Sequence, residues 1–421
     1  MIGKPFHSTF SSWAKQPLFG NDDGSKGKFS NSTVTALMIL FVPILLSEKA
    51  RRFLKSRFAR YELLLKFNIS KKQNNINQVD SNNITVQNIY IYPVKSTKAV
   101  SLDKGEFDAY GLKHDRRFMV VRPCPLPNKG FFAPNDATHR FVTQRQAPSL
   151  ATISASLPTH SGDKLDESCT YSSTSNYIEL SQLDLKSGQR SIVTVDLTPS
   201  ALQQGVVYRA GLWDDIVEVV DLGDPAAIFL QKVCKFDGNS EEGQFTDVRL
   251  VYMAPKSYVR HAPEKYTPLA SLTITGKTSQ VSLSDGFPIL IVSEASLQEL
   301  NRRLIEKEKP HISMDQFRPN IVIRGEGMKP FEEDTWKVIR INNTLLHIVK
   351  GCPRCKQSCI NQTTGLVSDE PLTTLKEFRA LGKSEDVFFC QNALVQDSHR
   401  AEPIRVGDVL QVIEYGNPIF E

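Results

Sequence analysis

The chain of 421 residues is 40% apolar and 23% charged, a globular balance that excludes a disordered or collagen-like chain. Seven cysteines, odd in number and spread from Cys124 to Cys390, exclude a disulfide scaffold and fit a reducing compartment. Residues 1–72 hold 13 Lys/Arg against 4 Asp/Glu, an excess of +9, so the rest carries −4 of the net +5, which argues against a nucleic-acid-binding body.

In chain order, residues 1–32 are rich in Ser, Gly, Asn and Lys and read as a disordered N-terminus. Residues 33–48 read as a membrane-anchor helix: no charge interrupts Ser30 to Ser47, and Lys49, Arg51, Arg52, Lys55, Arg57 and Arg60 follow. The run is short against the ~20 residues that cross a typical bilayer. A thin membrane or snorkelling basic residues make up the difference, and a surface-lying helix is the alternative. The basic flank would keep the rest of the chain on the cytosolic side. Residues 49–84 form a basic juxtamembrane segment and an Asn-, Ser- and Gln-rich linker.

The body starts near Thr85. Strands are predicted over 86–94, 118–121, 151–157, 191–197 and 216–220, from β-branched and aromatic runs between turn-rich spacers. They make a mostly β domain over 85–222. In the second domain, 223–421, Asp224-Pro225 opens a helix to about Cys234. Leu297, Leu300 and Leu304 mark an amphipathic helix over 293–306, and 372–381 is a third helix. Strands are predicted between and after them, over 320–324, 344–350 and 409–414. Strands and helices do not alternate regularly, so the class is β-rich, mixed α+β rather than a doubly wound sheet.

Three clusters carry chemistry. Cys352-Pro353-Arg354-Cys355-Lys356-Gln357-Ser358-Cys359 places three thiols among basic side chains, and basic neighbours favour the thiolate, both nucleophile and soft metal ligand. Spacing leaves three readings open: a structural zinc site, for which His347 and Cys390 are the nearest further ligands but form no second pair at knuckle spacing, a redox disulfide between Cys352 and Cys355, or one thiol on a cofactor metal. Tyr92-Pro93-Val94-Lys95-Ser96 ends a strand in an ammonium and a hydroxyl, which fits an oxyanion or a solvated turn. Phe317-Arg318-Pro319-Asn320 spaces a guanidinium and an amide two apart, so an extended backbone puts both on one face; the alternative is a cap or turn contact by Asn320 beside a surface arginine. Asp115-Arg116-Arg117-Phe118 and Thr143-Gln144-Arg145-Gln146 are weaker polar strand ends.

In their order along residues 85–416, these clusters resemble the MOSC family. Tyr92 to Ser96, Gly111-Leu112, Asp115 to Phe118 and Thr143 to Gln146 resemble its N-terminal β-barrel region. Ser293 to Leu297, Phe317 to Asn320, Cys352 to Cys355 and Thr364-Gly365 resemble the MOSC domain itself. The resemblance is strongest to the branch that reduces amidoximes. It implies a β-barrel-like first domain, a MOSC β-barrel domain with flanking helices, and a molybdenum cofactor (Mo-molybdopterin) with Cys355 as catalytic metal ligand. By the same match Lys95, Ser96, Arg117, Arg318, Asn320, Pro353 and Arg354 hold the cofactor. Gly286 and Phe287 stand where relatives carry small hydroxyl residues, which leaves main-chain donors. Asn361 replaces a carboxylate. The resemblance further implies reduction of N-oxygenated compounds with electrons from a b5-type cytochrome and its NADH-dependent reductase, at the mitochondrial outer membrane or the endoplasmic reticulum. The competing reading is a non-catalytic pterin- or sulfur-binding module. Sulfur transfer would want a pyridoxal-phosphate domain, for which the 84 residues before the body leave no room.

Overall fold

The computed structural model describes residues 83–124, 136–156, 176–234, 247–254, 258, 260–266, 279–383, 385–398 and 401–421, all within one compact unit, Phe53–Glu421. The anchor expected at 33–48 lies outside the described residues, as do residues 1–32 and 49–82. No described helix is long and apolar enough to cross a membrane.

Two sheets dominate. Val207–Leu212, Asp215–Asp221, Arg249–Met253, Phe118–Pro123 and His139–Val142 form a closed five-stranded barrel, shut by parallel pairing of Ala210 with His139. Alternation along Phe118–Pro123 explains its two faces. Met119 and Val121 point into the barrel with Phe141, Leu212 and Val219. Phe118 and Val120 point outward, onto helix Asp224–Val233 and the three-stranded sheet of Ile153–Ser156, Tyr177–Leu183 and Arg190–Asp196.

The larger sheet has eight strands, in the order Val100–Leu102, Thr85–Ile91, Ile321–Arg324, Ile289–Ser293, Phe388–Val395, Thr344–Pro353, Trp336–Ile341 and Leu410–Tyr415. Ile289–Ser293 and Ile321–Arg324 run parallel, joined through helix Glu294–Glu306, the long crossover that a parallel pair needs. Ser293 caps that helix, its Oγ accepting from Ser296 N at 3.1 Å. The sheet curls, packing Ile89, Ile291, Ile323, Trp336, Ile339 and Leu346 on its concave side. Its convex side packs Val292, Val322 and Phe389 on Leu300, Leu304 and Leu375 of the helices.

One expectation needs correction. The second barrel is an open, curled sheet, in which residues 407–410 bond back to Ile84 and Val86 without joining the edge strands into a ring. The two sheets also exchange segments along the chain. Thr85–Ile91 belongs to the large sheet, whereas Asp224–Val233 and Arg249–Met253 pack with the barrel. Pairing over long sequence distances decides this, which local patterns do not report.

Candidate functional site

A cleft opens where the loop after Thr85–Ile91 meets loop 282–287, the turn before Ile321–Arg324 and the end of Thr344–Pro353. Its lining contains four cations, Lys95, Arg116, Arg318 and Arg354, and one carboxylate, Asp285.

Each cation is fixed from behind. The Lys95 ammonium donates to Leu283 O at 3.0 Å and to Asp285 Oδ1 at 2.5 Å. Burial pushes its pKa down to about 8, against the pull of Asp285. The Lys95 side chain is 6% exposed and that of Asp285 64%, so the carboxylate stands at the mouth over a sunken ammonium. Arg116 Nη1 pairs with Asp115 at 2.5 Å, and Nη2 donates to Arg318 O at 3.3 Å. Arg318 stacks on the Tyr92 ring, 4.2 Å to its centroid, and Nη1 donates to Thr97 O at 2.6 Å. Burial lowers its pKa to about 10. Arg354 donates to Cys352 Sγ and to Phe317 O, both at 3.0 Å.

What these groups leave bare is informative. Ser96 Oγ, Ser284 Oγ, Arg318 Nη2 and Arg354 Nε are buried and have no hydrogen-bond partner among the described residues. All four residues line the cleft. An unpaired buried polar atom costs about 1–3 kcal/mol, so four around one cleft mark a place for a polar occupant. The excess of cations makes that occupant an anion.

Loop 282–287 adds to this. Tyr258 Oη donates to Ser282 O at 2.7 Å, and Arg260 donates to the carbonyls of Ser282, Ser284 and Asp285. While Tyr258 and Arg260 hold those three carbonyls, the N–H groups of residues 284–287 have no hydrogen-bond partner among the described residues. Gly286 and Phe287 both line the cleft. A Cβ on Gly286 would meet nothing within 4 Å, and Phe287 leans on Tyr266 with ring centroids 5.6 Å apart.

Cys355 lies at the cleft, exposed and unbonded to another thiol, whereas Cys359 and Cys390 are buried. It precedes the short turn Lys356–Cys359, its carbonyl accepting from Ser358 N at 3.0 Å and Oγ at 2.9 Å. Among the described residues no three His, Cys, Asp or Glu side chains converge to hold a metal. His347 instead bonds Gln396 at 3.1 Å, so the zinc reading lacks a ligand set. The backbone stays extended through Pro353, and Arg354 N continues the pairing to Val387 O. Three extended residues separate Cα atoms by roughly 10 Å, beyond the ~7 Å reach of a disulfide. The redox reading of Cys352 with Cys355 therefore has no geometry.

The structure brings Lys95, Ser96, Gly286, Phe287, Arg318, Asn320, Pro353, Arg354 and Cys355 together, but not Arg117. Arg117 forks onto Asp108 at 2.6 and 2.7 Å and stacks on Tyr110. Its neighbour Arg116, in a left-handed conformation with φ 50°, takes the cleft position. Asn320 is spent on the scaffold: its Oδ1 accepts from Leu290 N and its Nδ2 donates to Tyr90 O, each at 3.1 Å, tying two strands. Asn361 is exposed and closes a turn by accepting from Thr363 N and Thr364 N, each at 2.9 Å. It does not line the cleft. Sequence reasoning missed Ser284, Asp285 and Asn392. Ser284 and Asp285 adjoin Gly286 in the chain, a proximity that was available as a signal.

The MOSC N-terminal beta barrel domain model matches residues 83–235, and the MOSC domain model matches 278–411. The chain belongs to the MOSC family. It is 30% identical to mitochondrial amidoxime reducing component 2 of Bos taurus over 78% of this chain and 84% of that protein. It is 29% identical to mitochondrial amidoxime-reducing component 1 of Homo sapiens, over 78% and 83%. Molybdenum cofactor sulfurase of Oryza sativa subsp. japonica is 25% identical over 79% of this MOSC chain but only 36% of its own length.

Proposed function

We propose that this MOSC protein is a molybdenum-cofactor oxidoreductase that reduces N-oxygenated compounds such as amidoximes and hydroxylamines. The observation that carries the reading is the set of four unpartnered buried polar atoms in a cationic cleft beside the accessible Cys355 thiol. When bound, the cofactor supplies a two-electron redox centre. The chain's own groups hold it. Lys95, Arg116, Arg318 and Arg354 neutralise its phosphate and dithiolene charge. Ser96, Ser284 and the main-chain N–H groups of Gly286 and Phe287 donate hydrogen bonds. Cys355 offers the thiolate ligand. Packing on Tyr92 and Phe317 keeps the guanidinium groups dry, which strengthens their attraction for an anion.

Electrons would come from a b5-type cytochrome and its NADH-dependent reductase. The segment 33–48 would hold the chain on the mitochondrial outer membrane, where partners on one surface meet at raised effective concentration. A second reading, a pterin-binding module without turnover, draws on Phe287, which places a ring against Tyr266 instead of a hydroxyl in the cleft.

The test is to express the full chain with a cofactor source and measure bound molybdenum, bound pterin and benzamidoxime reduction. The wild type is expected to carry both and to turn over. Cys355→Ser is expected to lose at least 100-fold in turnover while keeping most of its pterin, since metal-ligand loss removes the redox centre and not the anion contacts. A wild type with neither metal nor pterin refutes the proposal. Pterin with no turnover under any electron donor supports the second reading instead.

A further inference from the structure

Behind the cleft, two side-chain amides face each other across the two halves of the molecule. Gln144 Nε2 donates to Gln362 Oε1 at 2.8 Å, and Gln362 Nε2 returns a bond to Gln144 Oε1 at 3.0 Å. Both residues are buried, at 0% and 3% exposure, and neither lines the cleft. Gln144 follows the barrel strand His139–Val142, and Gln362 follows the Cys355 turn.

Each amide also grips a residue that does line the cleft. Gln144 Nε2 donates to Ser96 O at 2.8 Å. Gln362 Oε1 accepts from Arg318 Nη1 at 3.3 Å, and its Nε2 donates to Ile360 O at 2.9 Å. Ser96 has φ 73°, a left-handed conformation that costs a non-glycine residue free energy and needs support. Arg318 has one nitrogen held by Thr97 O and Gln362 and the other left without a partner. Ser96 Oγ and Arg318 Nη2 are two of the four bare polar atoms of the cleft. All four amide hydrogens of the pair are committed and both oxygens accept, and a satisfied buried network is rigid.

We propose that Gln144 and Gln362 are positioning residues that act as one device, locking Ser96 and Arg318 in the geometry that binds the cofactor's anionic part. The inference rests on the cofactor reading above. Substitutions there change how tightly the pterin is held, and they do so through Ser96 and Arg318.

The experiment uses the full-length chain loaded during expression. It follows release of pterin after dilution, as the fluorescence of oxidised pterin per mole of protein, and records melting temperature alongside. Gln362→Ala is expected to release pterin about tenfold faster, the effect of one lost hydrogen bond to a charged group. With Ser96→Ala and Arg318→Met already in place, adding Gln362→Ala is expected to change release no further, although it still lowers the melting temperature. A further tenfold in that triple variant would mean that Gln362 acts through neither Ser96 nor Arg318, and the proposal falls. Gln362→Glu covers the case in which the alanine variant does not fold. It keeps the volume, pairs directly with Arg318 and takes its charge from the ligand, so release is again expected to quicken. Wild-type release from Gln362→Glu overturns the proposal. A wild type without pterin sinks the cofactor reading itself, whereas a loaded wild type with variants that release at its own rate sinks only the pair.

Discussion

Two adjacent arginines before the strand Phe118–Pro123 show how finely a site is set at the scale of the residue. Arg116 and Arg117 carry the same charge, yet only Arg116 reaches the cleft. His114 and Arg116 both have positive φ, at 68° and 50°, so the alternation that assigns faces in an extended strand does not hold before Phe118. Matching the arginine next to the aromatic residue selects Arg117, which the backbone turns onto Asp108. The consequence is testable. Arg116→Gln should lower bound pterin per folded chain at least tenfold. Arg117→Gln should leave that ratio unchanged and instead cost about 1–3 kcal/mol in urea unfolding, because it strands Asp108 in a half-buried site. The reverse pattern would return the anion role to Arg117. Serine hydroxyls follow the same logic: Ser284 is ordinary in sequence, and only burial without a partner marks it.

At the scale of the element, the sequence was informative wherever one face alone was apolar. Helix Glu294–Glu306, helix Leu372–Arg379 and strands Thr85–Ile91, Asp215–Asp221 and Leu410–Tyr415 lie within a few residues of their predicted spans. Strand Phe388–Val395 was missed. All eight of its residues are buried, but Gln391 and Asn392 interrupt the apolar run, and they are tolerated only because Gln391 bonds Asp334 at 2.6 Å and Asn392 bonds Gly351 O at 3.4 Å. Its partner Thr344–Pro353 carries His347, buried at 6% exposure. Burial pushes this imidazole from its ordinary value near 6.5 down to about 4. Between those values the unfolded chain binds a proton that the native strand refuses. Stability is therefore fully present above pH 6.5 and is lost as the pH falls towards 4. The loss is at most about 3 kcal/mol. His347→Gln should flatten that part of the pH–stability curve measured by chemical unfolding, and an unchanged slope would show that another group carries it.

At the scale of the whole molecule, the cleft is a joint between two sheets. The barrel half contributes Arg116 directly, and Gln144 and Arg260 from behind. The large sheet contributes Lys95, Arg318 and Cys355 from its loops. Filling such a joint ties the halves together, so the loaded chain should melt several degrees above the cofactor-free chain. Ligand present at 100 times its dissociation constant adds about 2.7 kcal/mol. Scanning calorimetry of both forms checks this, and equal melting temperatures would mean that the occupant bridges nothing.

By itself the sequence determined the α+β class and the family, and it named most of the polar residues that line the cleft, because Lys95-Ser96, Arg318-Pro319-Asn320 and Arg354-Cys355 are short motifs whose chemistry is written in adjacent residues. Only the tertiary structure decided which sheet closes, where the two halves exchange strands, that Arg116 and not Arg117 faces the cleft, and that Gln144 meets Gln362. Those outcomes depend on contacts between segments up to a few hundred residues apart and on backbone turns that no local period encodes.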